Sequence, residues 1–92
     1  MKIPKSFQLM GRTWAVVVVA KNDWKDEDCV GLCSFEKCEI RVMRQCQEAM
    51  EQVFLHECTH AALEAMGSKL YSNEAFVDNL SGLYHQILKT AK

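Results

Sequence analysis

Few residues in this 92-residue chain break regular structure: one proline and four glycines, none of them between Gln45 and Met66. There is no surplus of charge either. Eleven Lys and Arg against twelve Asp and Glu leave a net charge of −1 without a basic cluster. An electrostatically bound nucleic acid is therefore not an expected partner. No apolar run approaches the roughly 20 residues of a membrane span, so no membrane partner is expected. After Lys2 and Lys5 polar residues return before any apolar h-region, and no secretory signal is read. The five cysteines (Cys29, Cys33, Cys38, Cys46 and Cys58) are odd in number and include no CxxC pair. Free thiols in a reducing compartment are the simplest account, and the expected localisation is cytoplasmic. The spacing of Cys29, Cys33 and Cys38 fits no common structural zinc pattern. Internal repeats and low-complexity tracts are absent.

A hydrophobic content of 49% with 25% charged residues is that of an ordinary globule. Ninety-two residues suffice for one domain, residues 1–92, with a modest core. The most informative stretch is His56-Glu57-Cys58-Thr59-His60, which reads HExxH. At 3.6 residues per turn, positions four apart lie one above the other on a helix. Two imidazoles there can bind one Zn²⁺ from the same side, and the adjacent Glu57 reaches a water in the open coordination position. The local sequence favours a helix: Ala, Leu, Met, Glu and Gln predominate from Gln45 to Met66. Apolar residues occupy most of that helix surface, which predicts burial, and Gly67 follows at the natural stop. Cys58 points about 160° from each histidine, so it reads as a small core residue.

A third ligand is available in Ser72-Asn73-Glu74-Ala75-Phe76-Val77-Asp78, which opens a second helix with Ser72 as a plausible N-cap. Glu74 and Asp78 are four apart and share a face. Glu74 would bind zinc, and Asp78, one turn on, would accept a ring N–H from His56 or His60. An acidic first turn is also favoured by the helix dipole alone; beside HExxH the ligand reading gains weight.

HExxH on one helix followed by Asn-Glu-x-x-x-Asp on the next resembles the gluzincin metallopeptidases, and at this length the minigluzincins, small peptidase-like proteins of phages and bacteria. The likeness covers roughly Cys29 to Leu88 and matches at five positions. It implies His56, His60 and Glu74 as ligands of one zinc, Glu57 as general base and acid, and Asp78 as an outer hydrogen-bond partner. It also implies a minimal zincin-like α+β fold, in which a small antiparallel or mixed sheet of three or four strands packs on the two zinc-bearing helices. No counterpart of the substrate-binding domain of the large gluzincins is expected within these 92 residues.

The remaining segments suit that fold class. Phe7–Met10 and Thr13–Ala20 read as a hairpin about Gly11-Arg12, and Val16 to Val19 as an interior strand covered on both faces. Lys21–Asp28 is a charged loop, with Trp14 and Trp24 packing near the sheet. Val30–Phe35 and Cys38–Met43 form a second hairpin about Glu36-Lys37. Gluzincins bind extended peptide as an extra strand beside the zinc, and the resemblance leaves either arm of this hairpin as that edge. Asn73–Lys89 forms the last helix, with Phe76, Val77, Leu80, Leu83, Tyr84, Ile87 and Leu88 as its buried stripe. His85 lies about 16 Å along that helix from Glu74 and reads as a surface or rim histidine. Tyr71 and Tyr84 read as structural.

The expected activity is zinc-dependent hydrolysis of an extended peptide or protein substrate, with zinc-activated water and Glu57 as the base. The alternative is a catalytically silent zinc-stabilised protein-binding module, or a latent enzyme whose residues around Lys89 to Lys92 obstruct the cleft.

Overall fold

In the computed structural model of residues 1–92 the chain forms a four-stranded mixed sheet and two helices, an α+β architecture. Strands β1 (Ser6–Leu9) and β2 (Arg12–Val19) pair as a hairpin. Its turn is Met10-Gly11, one residue earlier than the spacing suggests, with φ of 52° and 77°. Two successive left-handed residues give a turn whose twist matches that of the strands. Strands β3 (Gly31–Ser34) and β4 (Glu39–Met43) form the second hairpin. β4 then lies parallel to β2, with Val16 opposite Ile40 and Val18 opposite Val42. The resulting order β1-β2-β4-β3 leaves β3 as an edge.

The valine run is interior to the sheet, but its second face is covered only at Val19, which is buried. Trp14, Val16 and Val18 join Ile40 and Val42 in the core beneath helix α1 (Gln47–Ala65), which contributes Met50, Phe54 and Ala61. On the opposite face Ala15 and Val17 are exposed, because no second layer packs over that part of the strand. Trp24 is half-buried and its Nε1 donates to the Cys29 carbonyl at 2.8 Å, which ties the charged loop back on itself. No helix is long and apolar enough to cross a membrane.

Helix α1 ends as its sequence suggests. Gly67 adopts φ +71°, its N–H donates to the Glu64 carbonyl at 2.9 Å, and the Ser68 N–H donates to Leu63 at 3.0 Å. This closes the last turn with two orphan carbonyls satisfied. A 3-10 turn at Lys69–Ser72 follows, then helix α2 (Glu74–Thr90). Asn73, not Ser72, caps α2: its Oδ1 accepts the Phe76 N–H at 3.0 Å. The Ser72 hydroxyl instead donates to Lys69 within the preceding turn.

Two expectations for α2 are overturned. Its buried residues are Val77, Ser81 and His85, whereas Phe76, Leu83, Tyr84, Ile87 and Leu88 are exposed and Leu80 is half-buried. At 100° per residue, Val77, Ser81 and His85 share a face with Glu74 and Asp78. The rotation that turns those carboxylates towards α1 therefore turns the apolar stripe outward. His85 is accordingly buried rather than on the surface, only 4% exposed. Its Nε2–H donates to Glu51 Oε1 at 2.9 Å. The Glu51 carboxylate is also buried and takes further bonds from Gln47 Nε2 at 3.1 Å and the Met1 amine at 3.3 Å. A buried charge is tolerable when its lone pairs are so filled. The His85 bond first, and Gln47 next, hold the Glu51 carboxyl down to about 2.

Two predictions concern stability. A Cβ placed on Gly82, in the middle of α2, would touch nothing within 4 Å. Gly82→Ala should therefore stabilise the fold by about 0.5–1 kcal/mol, a rise of several degrees in a thermal melt. For Glu51, a folded pKa below the ordinary 4.5 means that its stabilisation is complete above about 4.5 and drains away as pH falls towards about 2. Urea midpoints measured across that window should fall less steeply for Glu51→Gln than for the wild type; identical slopes would show that Glu51 contributes nothing to the acid limb.

Candidate metal centre

The end of α1, the 3-10 turn and the first turn of α2 converge on one constellation. His56 Nε2 lies 3.1 Å from Glu74 Oε2, and His60 Nε2 lies 3.0 Å from Glu74 Oε1. One carboxylate thus bridges two imidazoles, and single ligand atoms of the three residues all fall within 4.8 Å of one another. Asn73, by capping α2, makes Glu74 its first residue and aims the carboxylate back at α1.

The outer ring nitrogens are also engaged. His56 Nδ1 lies 3.3 Å from Asp78 Oδ1, so of the two histidines it is His56 that Asp78 serves. His60 Nδ1–H donates to the backbone carbonyl of Tyr71. A carbonyl only accepts, so His60 carries a proton on Nδ1. His56 faces a carboxylate at both ring nitrogens, and the tautomer with its proton on Nδ1, towards Asp78, is the one that frees Nε2 for a metal. In that tautomer both Nε2 lone pairs face the Glu74 carboxylate, an arrangement that a cation between them would relieve. Nitrogen and carboxylate oxygen are the donor set that suits zinc. Ligands about 2.0–2.1 Å from one ion at tetrahedral angles stand about 3.3 Å apart, close to the two His–Glu separations here. The three side chains can hold one divalent ion.

Glu57 occupies the next position along α1, half-buried in the same cleft. Burial raises its carboxyl pKa, with Glu74 adding to the rise and His56 and His60 opposing it. The burial comes from β3. A Cβ on Gly31 would sit 2.4 Å from Val53 Cγ1 and 3.0 Å from Glu57 Oε2, so only glycine lets the strand pass this close. The Met43 N–H bonds the Val30 carbonyl at 3.0 Å. By antiparallel alternation the backbone groups of Gly31 and Cys33 then point away from β4, towards the open edge of the sheet. Of the two hairpin arms, β3 is therefore the free edge beside the site.

Burial pushes the Cys33 and Cys58 thiols up to about 12, so neither is a free thiolate nucleophile at neutral pH. Tyr71 lines the cleft and is 43% exposed, and Tyr84 is exposed on the outer side of α2, so neither is the packed residue expected. Lys89 is bound to Glu48 in the first turn of α1, which holds the end of α2 far from the cleft. The contact of His60 with Tyr71 carries no sequence signal, because any residue has a carbonyl.

Comparison with protein-family models, with characterised proteins and with solved structures yields no match to this chain. Function must therefore be argued from the geometry of the site.

Equilibrium dialysis against zinc should load one ion per chain. Glu74→Ala should weaken binding by roughly 100-fold or more, and Asp78→Asn by about 10- to 100-fold. Zinc uptake unchanged in Glu74→Ala would dissociate the cluster from metal binding.

Proposed function

We propose that this protein is a small zinc-dependent peptidase of the gluzincin type, built as a minimal zincin-like domain, which hydrolyses an extended peptide laid along β3. The observation that carries the reading is the meeting of three ligand atoms, a half-buried carboxylate and an unpaired strand edge in one cleft. When bound, the metal supplies Lewis acidity: it polarises a carbonyl and brings the pKa of water towards neutrality.

The chain's own residues do the rest. His56, His60 and Glu74 hold the ion, with the imidazoles fixed by Asp78 and the Tyr71 carbonyl. The outward amides of Gly31 and Cys33 pair with the substrate backbone, so affinity depends little on side-chain sequence. Glu57 accepts a proton from the attacking water and passes it to the departing amine. Its raised pKa suits both halves of that task, since a base that is too weak does not take the proton and one that is too strong does not release it.

The same open edge favours a second reading, in which zinc braces a small domain and β3 binds a partner strand without turnover. Glu57→Gln separates the two. Under the peptidase reading the variant keeps zinc and peptide binding but loses about 100- to 10,000-fold in peptide-library cleavage. A zinc-loaded wild type that binds extended peptides and cleaves none of them would leave the binding module.

A further inference from the structure

The cleft that contains His56, His60 and Glu74 carries charge of one sign. Five carboxylates line it, those of Asp28, Glu57, Glu64, Glu74 and Asp78, and no lysine or arginine does. The chain as a whole has eleven cations against twelve carboxylates, so this is a local bias rather than a reflection of net charge. Three of the five already have a part: Glu74 meets both imidazoles, Asp78 meets His56, and Glu57 stands beside them. Asp28 and Glu64 have none. Both are exposed, and neither enters any ion pair of the chain. Their positions bracket the edge strand. Asp28 lies three residues ahead of Gly31, the first residue of β3. Glu64 is on α1 one turn beyond His60, about 6 Å further along the axis and only about 40° around it. β3 advances in that same direction. Gly31 lies against Val53 and Glu57, and Cys33, two residues on, is pushed up by burial first and then by the charges of Glu57 and Glu64. A peptide paired to the open edge therefore lies between Asp28 at one end and Glu64 at the other.

We propose that Glu64, with Asp28 as its counterpart at the other end, selects peptides that carry lysine or arginine two residues from the bond placed at the site. The inference rests on the reading of β3 as a peptide-binding edge. Backbone pairing alone accepts most sequences, and the charge of the cleft chooses among them. Same-face residues of an extended strand recur every two positions, about 6.6 Å apart, which matches the step of about 6 Å from His60 to Glu64. A side chain two residues from the carbonyl nearest His60 thus arrives at Glu64. One divalent ion offsets two of the five negative charges, and the excess stays. A cleft with low-dielectric walls focuses such a field into its opening. A cationic side chain is drawn in, and an acidic one meets like charge with no cation to answer it. Lys25, Lys37 and Arg41 instead line a separate hollow with Leu32 and Ser34, which alternate with Gly31 and Cys33 and so lie on the other face of β3. Asp28 stands at the boundary of the two hollows, which leaves Glu64 as the stronger determinant.

Paired measurements separate this inference from the peptidase reading. Peptides of one sequence with Lys, Ala or Glu two residues to either side of a central bond are given to the zinc-loaded wild type for cleavage. The same set is given to zinc-loaded Glu57→Gln for binding, read by fluorescence anisotropy. At one of the two positions lysine should be favoured over alanine by about 5-fold, and over glutamate by more. The preference should fade between about 20 and 500 mM NaCl as screening shortens. Glu64→Gln should cut the lysine-to-alanine ratio to about 2-fold or less, and Glu64→Lys should turn it in favour of the glutamate peptide. Glu48→Gln removes the same charge about 24 Å away along α1 and should leave the ratio as it is. Lysine preference in binding that Glu64→Gln removes, with no peptide cleaved, would sustain this inference while the peptidase reading fell. Cleavage without regard to the lysine, a preference indifferent to Glu64, or no peptide bound at all overturns it.

Discussion

The bridging of His56 and His60 by the Glu74 carboxylate is the contact on which the arrangement of the two helices turns. It joins residues 14 and 18 positions apart on two helices that otherwise share a thin interface of Val77, Ser81 and His85. For Glu74 to reach both imidazoles, α2 must start at once after the connector, which Asn73 ensures by capping it. It must also be rotated so that Asp78 comes beside His56. A rigid helix has only one rotation to give. Setting it by two carboxylates leaves the large apolar residues on the wrong side for the internal core, and they face outward. Geometry at the site has taken precedence over maximal burial.

The second tether between the helices is the buried His85–Glu51 pair, about three turns further along α2. Together the two contacts hold the helices at both ends of their shared length, and both are polar. Polar contacts have stricter geometry than apolar ones, so they fix angle and register where a wholly apolar interface would tolerate sliding. The sheet has a different part. Its edge strand approaches α1 at Gly31 closely enough to exclude a methyl group, and that approach removes water from Glu57. Ligand geometry is thus set by the helices, and the environment of the neighbouring carboxylate by the sheet.

Much of this was legible in the sequence, for reasons that can be named. HExxH and Asn-Glu-x-x-x-Asp work because i,i+4 spacing converts directly into a shared helix face, and those five residues do assemble. Both hairpins, and the stop at Gly67, follow from turn residues with strong local preferences. The errors arose where tertiary demands overrode local pattern. The apolar stripe of α2 implied burial, but periodicity finds a face without saying what it faces. His85 seemed peripheral because its partner, Glu51, lies 34 residues away on an unremarkable turn of α1. Val16 to Val19 have no polar alternation, yet a run of valines cannot reveal that the second face is covered at Val19 and open at Val17. The Tyr71 carbonyl could not have been found at all, since the backbone is the same at every residue.

The Gly67 closure and the brief 3-10 connector also bear on how the molecule folds. The whole His–Glu–Asp cluster lies between His56 and Asp78, within one helical hairpin closed by a tight turn. Contacts of such short sequence separation form quickly, because little chain entropy is lost in closing so small a loop. The parallel β2–β4 pairing instead closes a loop of more than twenty residues, and the snug passage of Gly31 over α1 depends on it. The imidazoles and the bridging carboxylate can gather while the sheet is still incomplete, but Glu57 reaches its dry environment only when β3 docks. Assembly of the His–Glu cluster belongs to the early, local stage of folding, and the drying of the neighbouring carboxylate to the late, global one.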